Sequence, residues 1–327
     1  MDPKSSVLPG DLLAAKYRVE RVIGQGGMGM VAAAVHEQLG QKVALKFLLP
    51  EMLENREVAA RFLREAQAAV RIQSEHVVRV LDVGTLETGA PYIVMEYLEG
   101  SDLSHVLRDR GPLPVAEAVD CIVQACHAVS EGHRLGIVHR DLKPANMFLT
   151  TRTDGSSLVK VLDFGIAKAK LGVITGQEAS QTVAHSMMGS PAYMSPEQIQ
   201  DASTVDARTD VWAIGVSLYE LLTGEGPFRG STVHEFLWAI MTSQPPSLRT
   251  KRPDIPAELD AVVERCLKKA PGERIQSVAE LAAALAPFAP PASHAIIERI
   301  VRAASRDPQT SRPSIASTSN PGSTVLL

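Results

Sequence analysis

The stretch His139-Arg140-Asp141-Leu142-Lys143-Pro144-Ala145-Asn146 packs an acid, cations and a carboxamide into eight residues. Asp141 could accept or orient the proton of a hydroxyl, Lys143 could neutralise a phosphate, and Asn146 could offer its carbonyl oxygen to a hard cation. Pro144 should end any helix, so these side chains are expected to splay from a loop that follows a short apolar strand. A polar turn accounts for any one of these residues but accounts poorly for the set. Further on, Asp163-Phe164-Gly165 follows the apolar run Val159–Leu162. An acid at a strand end beside a glycine suits a metal-binding carboxylate, against the plainer reading of a strand-to-turn Asp.

Two earlier segments supply complementary chemistry. Gly24-Gln25-Gly26-Gly27-Met28-Gly29-Met30-Val31 contains a G-x-G-x-x-G pattern that is weak evidence alone. Its context is two short strands, so it reads as a hairpin tip whose backbone N–H groups could close over phosphates without Cβ clashes. An ordinary flexible hairpin carries equal weight on this evidence. In Val43-Ala44-Leu45-Lys46 a lysine sits inside an apolar run, which is costly if it is buried without a partner. A snorkelling lysine is the plainer alternative. In the helical pattern that follows, Val58, Phe62 and Ala69 share a face, and Glu65 lies on that face among them. A carboxylate pointing where apolar side chains point wants a cation, and Lys46–Glu65 is the economical pairing. Asn146 and Asp163 would then give Mg²⁺ two oxygen ligands, with ATP phosphates and water completing the shell.

The elements that must hold these groups follow from periodicity and punctuation. Strands are predicted at Tyr17–Gly24, Val31–His36, Lys42–Phe47, Val77–Leu86 and Tyr92–Tyr97, with one helix at Arg56–Ile72. Glu99-Gly100-Ser101-Asp102 reads as a connector. The period then changes. A long amphipathic helix is predicted at Pro114–Leu135, closed by Gly136. Short strand-like runs lie in Val138–Thr151 and Val159–Asp163. Helices are predicted at Asp210–Thr223, Ser231–Thr242, Pro256–Leu267 and Val278–Ala286. Ser293–Ala304 could form one more, with Ile296, Ile297, Ile300 and Val301 on one face. From Ser305 to Leu327, 12 of 23 residues are Ser, Thr or Pro, a composition expected to be disordered.

Composition removes several classes of function. The chain has 327 residues with 33 Lys+Arg against 37 Asp+Glu, a net charge of −4, where a dedicated nucleic-acid binder would be basic. Apolar residues at 45% and charged residues at 21% describe a globular chain. Cys121, Cys126 and Cys266 make no closed disulfide framework and lack metal-site spacing, so they read as buried thiols in a reducing compartment. The N-terminus has no signal-peptide core, and no run approaches the ~18 apolar residues of a membrane span. A cytoplasmic protein without membrane insertion is the expectation.

Taken in order, the motifs resemble those of eukaryotic-type serine/threonine protein kinases, and more narrowly the bacterial branch of that family. The signature set is G-x-G-x-x-G-x-V, V-A-I-K, H-R-D-L-x-x-x-N, D-F-G and A-P-E. Here it reads GQGGMGMV, VALK, HRDLKPAN, DFG and SPE, and the resemblance covers about Tyr17 to Phe288. It implies an α+β bilobal protein-kinase-like fold. A small β-rich N-lobe would span about 17–97 and a larger α-helical C-lobe about 98–288. Residues 1–16 would be an N-terminal extension, 289–304 an extra helix and 305–327 a tail.

The resemblance also implies roles. Gly24, Gln25, Gly26, Gly27, Met28 and Gly29 would cover the nucleotide, with Ile23, Val31 and Ala44 around adenine. Lys46 would grip the α/β-phosphates and pair with Glu65. Met95 falls at the gatekeeper position, and Glu96-Tyr97-Leu98 matches the hinge that reads adenine. Asp102 would approach the ribose or the substrate. Asp141 resembles the catalytic base, Lys143 the γ-phosphate partner, and Asn146 and Asp163 the Mg²⁺ ligands, with Mn²⁺ as an alternative ion. Gly189–Glu197 resembles the peptide-docking segment, where Ser190 would dock substrate and Ser195 replaces the usual Ala. Glu197 would pair with Arg274. Asp210 resembles an aspartate that braces the catalytic loop, and reads physically as a helix N-cap. Arg140 goes with control by phosphorylation of the activation loop, for which Thr182 and Ser186 are the candidate acceptors. Lys143 and Ser190 follow the Ser/Thr pattern. The activity implied is transfer of the ATP γ-phosphate to Ser/Thr hydroxyls of proteins, with autophosphorylation and a homodimer for it in trans. A pseudokinase scaffold that binds ATP without turnover and a small-molecule phosphotransferase are the rival classes.

Overall fold

A computed structural model of the chain describes residues 7–25, 29–53, 56–87, 89–164, 191–201 and 203–306. The first part is an antiparallel sheet. Its strands are β1 (Leu12–Leu13), β2 (Tyr17–Gln25), β3 (Gly29–His36), β4 (Gln41–Leu48), β5 (Val80–Thr85) and β6 (Pro91–Glu96), in the order β1-β2-β3-β4-β6-β5. Two helices, α1 (Pro50–Leu53) and α2 (Arg56–Arg71), lie between β4 and β5. Period-two alternation divides β4 between two apolar clusters. Val43, Leu45 and Phe47 join Tyr17, Val19, Ala32, Ala34, Tyr92 and Val94 on one face. Leu48 packs with Phe62, Ala66 and Ile93 on the other. Lys46 has the parity of Leu48, so it belongs to the face that α2 covers.

The second part is mainly helical. It begins with β7 (Ser101–Asp102), α3 (Leu103–Arg110) and α4 (Val115–Arg134). Strands β8 (Met147–Thr151) and β9 (Ser157–Val161) follow, and β7-β8-β9 form a small antiparallel sheet. Then come α5 (Pro196–Gln200), α6 (Arg208–Thr223), α7 (Val233–Thr242), α8 (Leu248–Lys251), α9 (Ala257–Cys266), α10 (Val278–Leu285) and α11 (Pro291–Ser305). The core gathers around α4 and α6, where Trp212, Ile214, Leu218, Leu221 and Leu222 are all buried. The β-rich first lobe and larger helical second lobe implied by the motifs are present. No helix among the described residues is long and apolar enough to cross a membrane.

Several local expectations are corrected. No strand precedes His139, because the backbone there is held by a side chain described below rather than by a neighbouring strand. Pro144 does not end a helix but opens a 3-10 turn, Pro144–Asn146, where its missing N–H costs nothing. The strand expected from Val77 starts at Val80, and Val77 makes a single parallel bridge to Val161. The last helix runs from Pro291 through Ser305, so the expected tail begins later. Residues 307–327, where most of that tail was placed, lie outside the described residues.

His76 sits where the two lobes meet. Its Nδ1 lies 3.0 Å from Val159 O, an atom that can only accept, so Nδ1 carries the proton. Nε2 is buried without a hydrogen-bond partner. Burial, above all, pushes the His76 pKa from 6.5 down to about 4. The folded state therefore binds fewer protons than the unfolded chain in this range. The contribution is complete above pH 6.5 and is lost as pH falls toward 4, by up to about 3 kcal/mol. His76→Asn keeps a donor and cannot titrate. Denaturant titrations from pH 7 to 4 are expected to show a shallower loss of stability for the variant. Parallel curves would show that His76 is not the group responsible.

Candidate functional site

Three segments meet in front of β4. Lys46 Nζ donates to Asp163 Oδ1 at 2.6 Å and lies 3.7 Å from Glu65 Oε2 of α2. The Phe62 ring centroid is 6.0 Å from the same nitrogen. Burial alone would lower the Lys46 pKa. The Asp163 and Glu65 carboxylates outweigh it and hold the ammonium above its usual range. Burial likewise opposes the Asp163 charge, and Lys46, His139 and Lys143 hold its carboxyl below the usual range. The expected Lys46–Glu65 pairing is thus present, and the shorter contact is to Asp163.

The loop before β8 presents the remaining polar groups. Asn146 Nδ2 donates to Asp141 O at 2.8 Å and to Asp141 Oδ2 at 3.2 Å. With Nδ2 donating to Asp141, the Asn146 carbonyl oxygen is the atom this side chain could offer to a cation. Lys143 Nζ is 3.5 Å from Asp141 Oδ2. Leu162, immediately before Asp163, is tied to this loop twice. Its N–H donates to Asn146 O at 2.9 Å, and its carbonyl accepts from His139 Nε2 at 3.0 Å. Phe164 is 1% exposed, with its ring 4.7 Å from the His139 ring. Asn146 and Asp163 are therefore brought to one side of the cleft by one backbone bond and one bond from the His139 side chain.

Asp210 holds the loop in shape. Its carboxylate is fully buried and accepts from His139 N–H at 2.8 Å, Arg140 N–H at 2.8 Å and His133 Nε2 at 2.7 Å. Burial would raise its pKa, and these donors hold it below the usual carboxylate range. The N-cap reading is corrected here. Ala207 occupies the cap of α6, and Asp210 lies in the first turn, aimed at another segment. Arg140 and Asp163 have φ of 67° and 46°, a left-handed conformation that costs a side-chain-bearing residue about 1–2 kcal/mol. The Asp210 bond to Arg140 N–H and a 3.0 Å bond from Gln198 Nε2 to Arg140 O hold one of these positions.

Other candidate residues fall as follows. Ala44 is buried and pairs with Met95 across β4 and β6, while Val31 and Leu98 are half-buried and Ile23, Gly24 and Gln25 exposed. A Cβ at Gly29 would come 2.4 Å from Phe47 O, so this glycine lets β3 and β4 approach. At Gly24 a Cβ would meet nothing within 4 Å. Asp102 caps α3, accepting from Ser104 N–H at 3.0 Å, His105 N–H at 3.1 Å and His105 Nδ1 at 2.6 Å. Both of its oxygens are thus engaged within its own segment. Glu197 and Arg274 form the expected pair, bidentate at 2.6 and 2.7 Å. Ser195 caps α5 with Gln198 in a reciprocal capping box, which gives its hydroxyl a use that Ala would lack. Gly26, Gly27, Met28, Thr182, Ser186 and Ser190 lie outside the described residues.

Sequence reasoning missed one buried charge pair. Lys160 in β9 is 8% exposed, and its Nζ donates to Glu96 Oε1 at 2.7 Å. The same oxygen accepts from Arg79 N–H at 2.7 Å. Glu96 therefore ties the end of β6 to the strand that leads to Asp163. The signal was available, since Lys160 interrupts the apolar run Val159–Leu162 as Lys46 interrupts its own.

A two-lobed fold with this charge cluster in its cleft defines the protein kinases. The description "Protein kinase domain" matches residues 17–285. Serine/threonine-protein kinase pkn3 of Myxococcus xanthus is 40% identical over 274 residues, covering 83% of this chain and 50% of the relative. Serine/threonine-protein kinase PknB of Mycolicibacterium smegmatis is 39% identical, covering 84% and 43%. The crystal structure of the Mycobacterium tuberculosis PknI kinase domain superposes with a TM-score of 0.66 at 32% identity, covering 86% of this chain and 100% of that one. The chain belongs to the protein kinase family, and the curated relatives it resembles are named bacterial serine/threonine-protein kinases. It spans about half the length of the curated relatives it matches.

Asp210→Asn leaves one acceptor oxygen and sets an NH₂ group against a backbone N–H. It is expected to lower stability by about 3 kcal/mol, read from denaturant midpoints. A loss below about 1 kcal/mol would show that the carboxylate is not what holds the loop.

Proposed function

We propose that the chain transfers the γ-phosphate of ATP to serine and threonine hydroxyls of proteins. One observation carries this reading: Lys46 from β4, Glu65 from α2 and Asp163 after β9 converge within salt-bridge distance, beside a loop that presents Asp141, Lys143 and Asn146. Phosphoryl transfer asks mostly for positioning and charge stabilisation, and this arrangement offers both. Lys46 would bind the α/β-phosphates, held in place by Glu65. Asn146 and Asp163 would hold Mg²⁺ as a donor set of a carboxylate and an amide oxygen, a fit for a hard ion. The bound ion would neutralise charge on the phosphate oxygens. Asp141 would orient the acceptor hydroxyl and take its proton as that oxygen bonds to the γ-phosphorus and ADP leaves. Lys143 would offset charge on the transferred group.

The resemblance around Lys143 and Ser190 supports Ser/Thr rather than Tyr acceptors. Arg140 supports control by phosphorylation of the segment after Asp163, for which Thr182 and Ser186 are our assigned acceptors. Cys121, Cys126 and Cys266 are free buried thiols, which supports a reducing, cytoplasmic setting.

Lys46→Ala and Asp163→Ala are each expected to remove turnover by ~10²-fold or more while leaving the thermal unfolding transition in place. Radiolabel transfer to a generic protein acceptor, run beside small alcohols, reads the outcome. Full turnover by either variant contradicts the assigned roles. Nucleotide binding without transfer by the wild type would mark a scaffold, and transfer only to small alcohols a different phosphotransferase. Phosphopeptide mapping after incubation with ATP is expected to find Thr182 and Ser186 modified. Phosphate confined to residues beyond 305 would rule this assignment out.

A further inference from the structure

Helix α11 begins after residue 285, where the family match ends, and the mechanism above uses none of it. It nevertheless packs closely on the second lobe. Ile296, Ile297 and Ile300 are buried where α11 meets α4 and α10. Ser293, in the first turn of α11, is fully buried, and its hydroxyl donates to Asp120 Oδ1 of α4 at 2.6 Å.

The other Asp120 oxygen faces along α4. Oδ2 accepts from Gln124 Nε2 at 2.9 Å and from Ser157 Oγ at 3.3 Å. Gln124 is 2% exposed, and its Oε1 accepts from the Val159 N–H at 2.8 Å. A chain of hydrogen bonds thus runs from Ser293 through Asp120 and Gln124 to Val159 of β9. The Val159 carbonyl is held from the other side by His76 Nδ1 at 3.0 Å. Glu75, next in sequence to His76, lies 4.0 Å from Arg299 Nη2 of α11. Both peptide groups of Val159 are therefore gripped by elements that α11 touches, and β9 leads directly to Asp163.

The chemistry of the chain makes it directional. An amide side chain can turn over, and only an acceptor at Nε2 keeps Oε1 toward Val159 N–H. Asp120 supplies that acceptor. It is half-buried, so its own rotamer needs fixing, and the Ser293 hydroxyl fixes it. Without that hydroxyl, Asp120 can turn toward water, Gln124 loses its orientation, and a buried backbone donor is left without its partner.

We propose that Ser293, Asp120 and Gln124 are positioning residues through which docking of α11 sets the placement of β9 and of Asp163. The consequence for turnover rests on reading Asp163 as a metal ligand; the coupling of α11 to β9 does not. Anything that lifts α11 from α4 then loosens the metal-binding carboxylate, a control acting from outside the matched kinase domain.

Hydrogen–deuterium exchange of the whole chain without nucleotide tests the coupling. Ser293→Ala removes the hydroxyl, and Ile300→Asp prises α11 away by its apolar face. In both, amides of residues 157–162 are expected to exchange about fivefold faster or more, with β3 and β4 unchanged. The Mg²⁺ concentration for half-maximal turnover is expected to rise while KM for a protein acceptor stays the same. Faster exchange confined to α11 would overturn the proposal. So would a loosened β9 with an unchanged Mg²⁺ requirement, which marks a structural bond alone. If instead Asp163→Ala leaves the Mg²⁺ requirement intact while β9 still loosens in Ser293→Ala, the ligand reading fails and the coupling survives.

Discussion

A cation enclosed beside an apolar helix face needs anions within reach, and Lys46 is met by two that arrive from distant parts of the chain. Glu65 comes from the helix that covers β4, and Asp163 from the end of β9, 117 residues away. Bringing them together requires α2 to pack against the sheet through Phe62 and Ala66. It also requires β9 to be pinned against α4, where Gln124 accepts from the Val159 N–H. Lys46 and Asp163, which satisfy one another here, are also the charges that a metal-bound triphosphate would engage, with Glu65 left to hold Lys46. Exchange of one set of charge partners for another costs less than creating a charged site from nothing.

The second requirement is a loop whose backbone runs in a conformation side chains disfavour. Asp210 supplies fixed acceptors for His139 and Arg140, and Leu162 is bonded to Asn146 and His139. Asp141, Asn146 and Asp163 are thereby parts of one bonded unit. Lys160–Glu96 ties that unit to the end of β6. The strand β9 stands at the centre of these ties, since its two edges are claimed by β8 on one side and by Gln124 and the His76–Val78 segment on the other.

Much of this was legible in the residues. Periodicity located the long helices to within a residue or two, because an apolar stripe repeats along each of them. The cost of burying Lys46 without a partner pointed to Glu65 before any fold was known. Where local signals ran short, the reading failed for identifiable reasons. Asp210 reads locally as a cap of its own helix, and only the family resemblance gave it the bracing role it has, because its partners lie 70 or more residues away and leave no trace in the adjacent sequence. Pro144 was read as a terminator because its ring blocks a preceding turn, whereas here it opens one. Ser293, Asp120 and Gln124 carry no periodic signature at all. They are linked only once α4, α11 and β9 are packed together. Lys160 is the exception, since the logic applied to Lys46 would have found it.

The most direct test is calorimetric titration of the full chain with a non-hydrolysable ATP analogue, with and without Mg²⁺. The arrangement of Lys46, Asn146 and Asp163 requires saturable binding at one site that is strengthened by the divalent ion. Absence of binding with Mg²⁺ present, or binding equally tight in its absence, would contradict a cleft built to hold a metal-bound triphosphate.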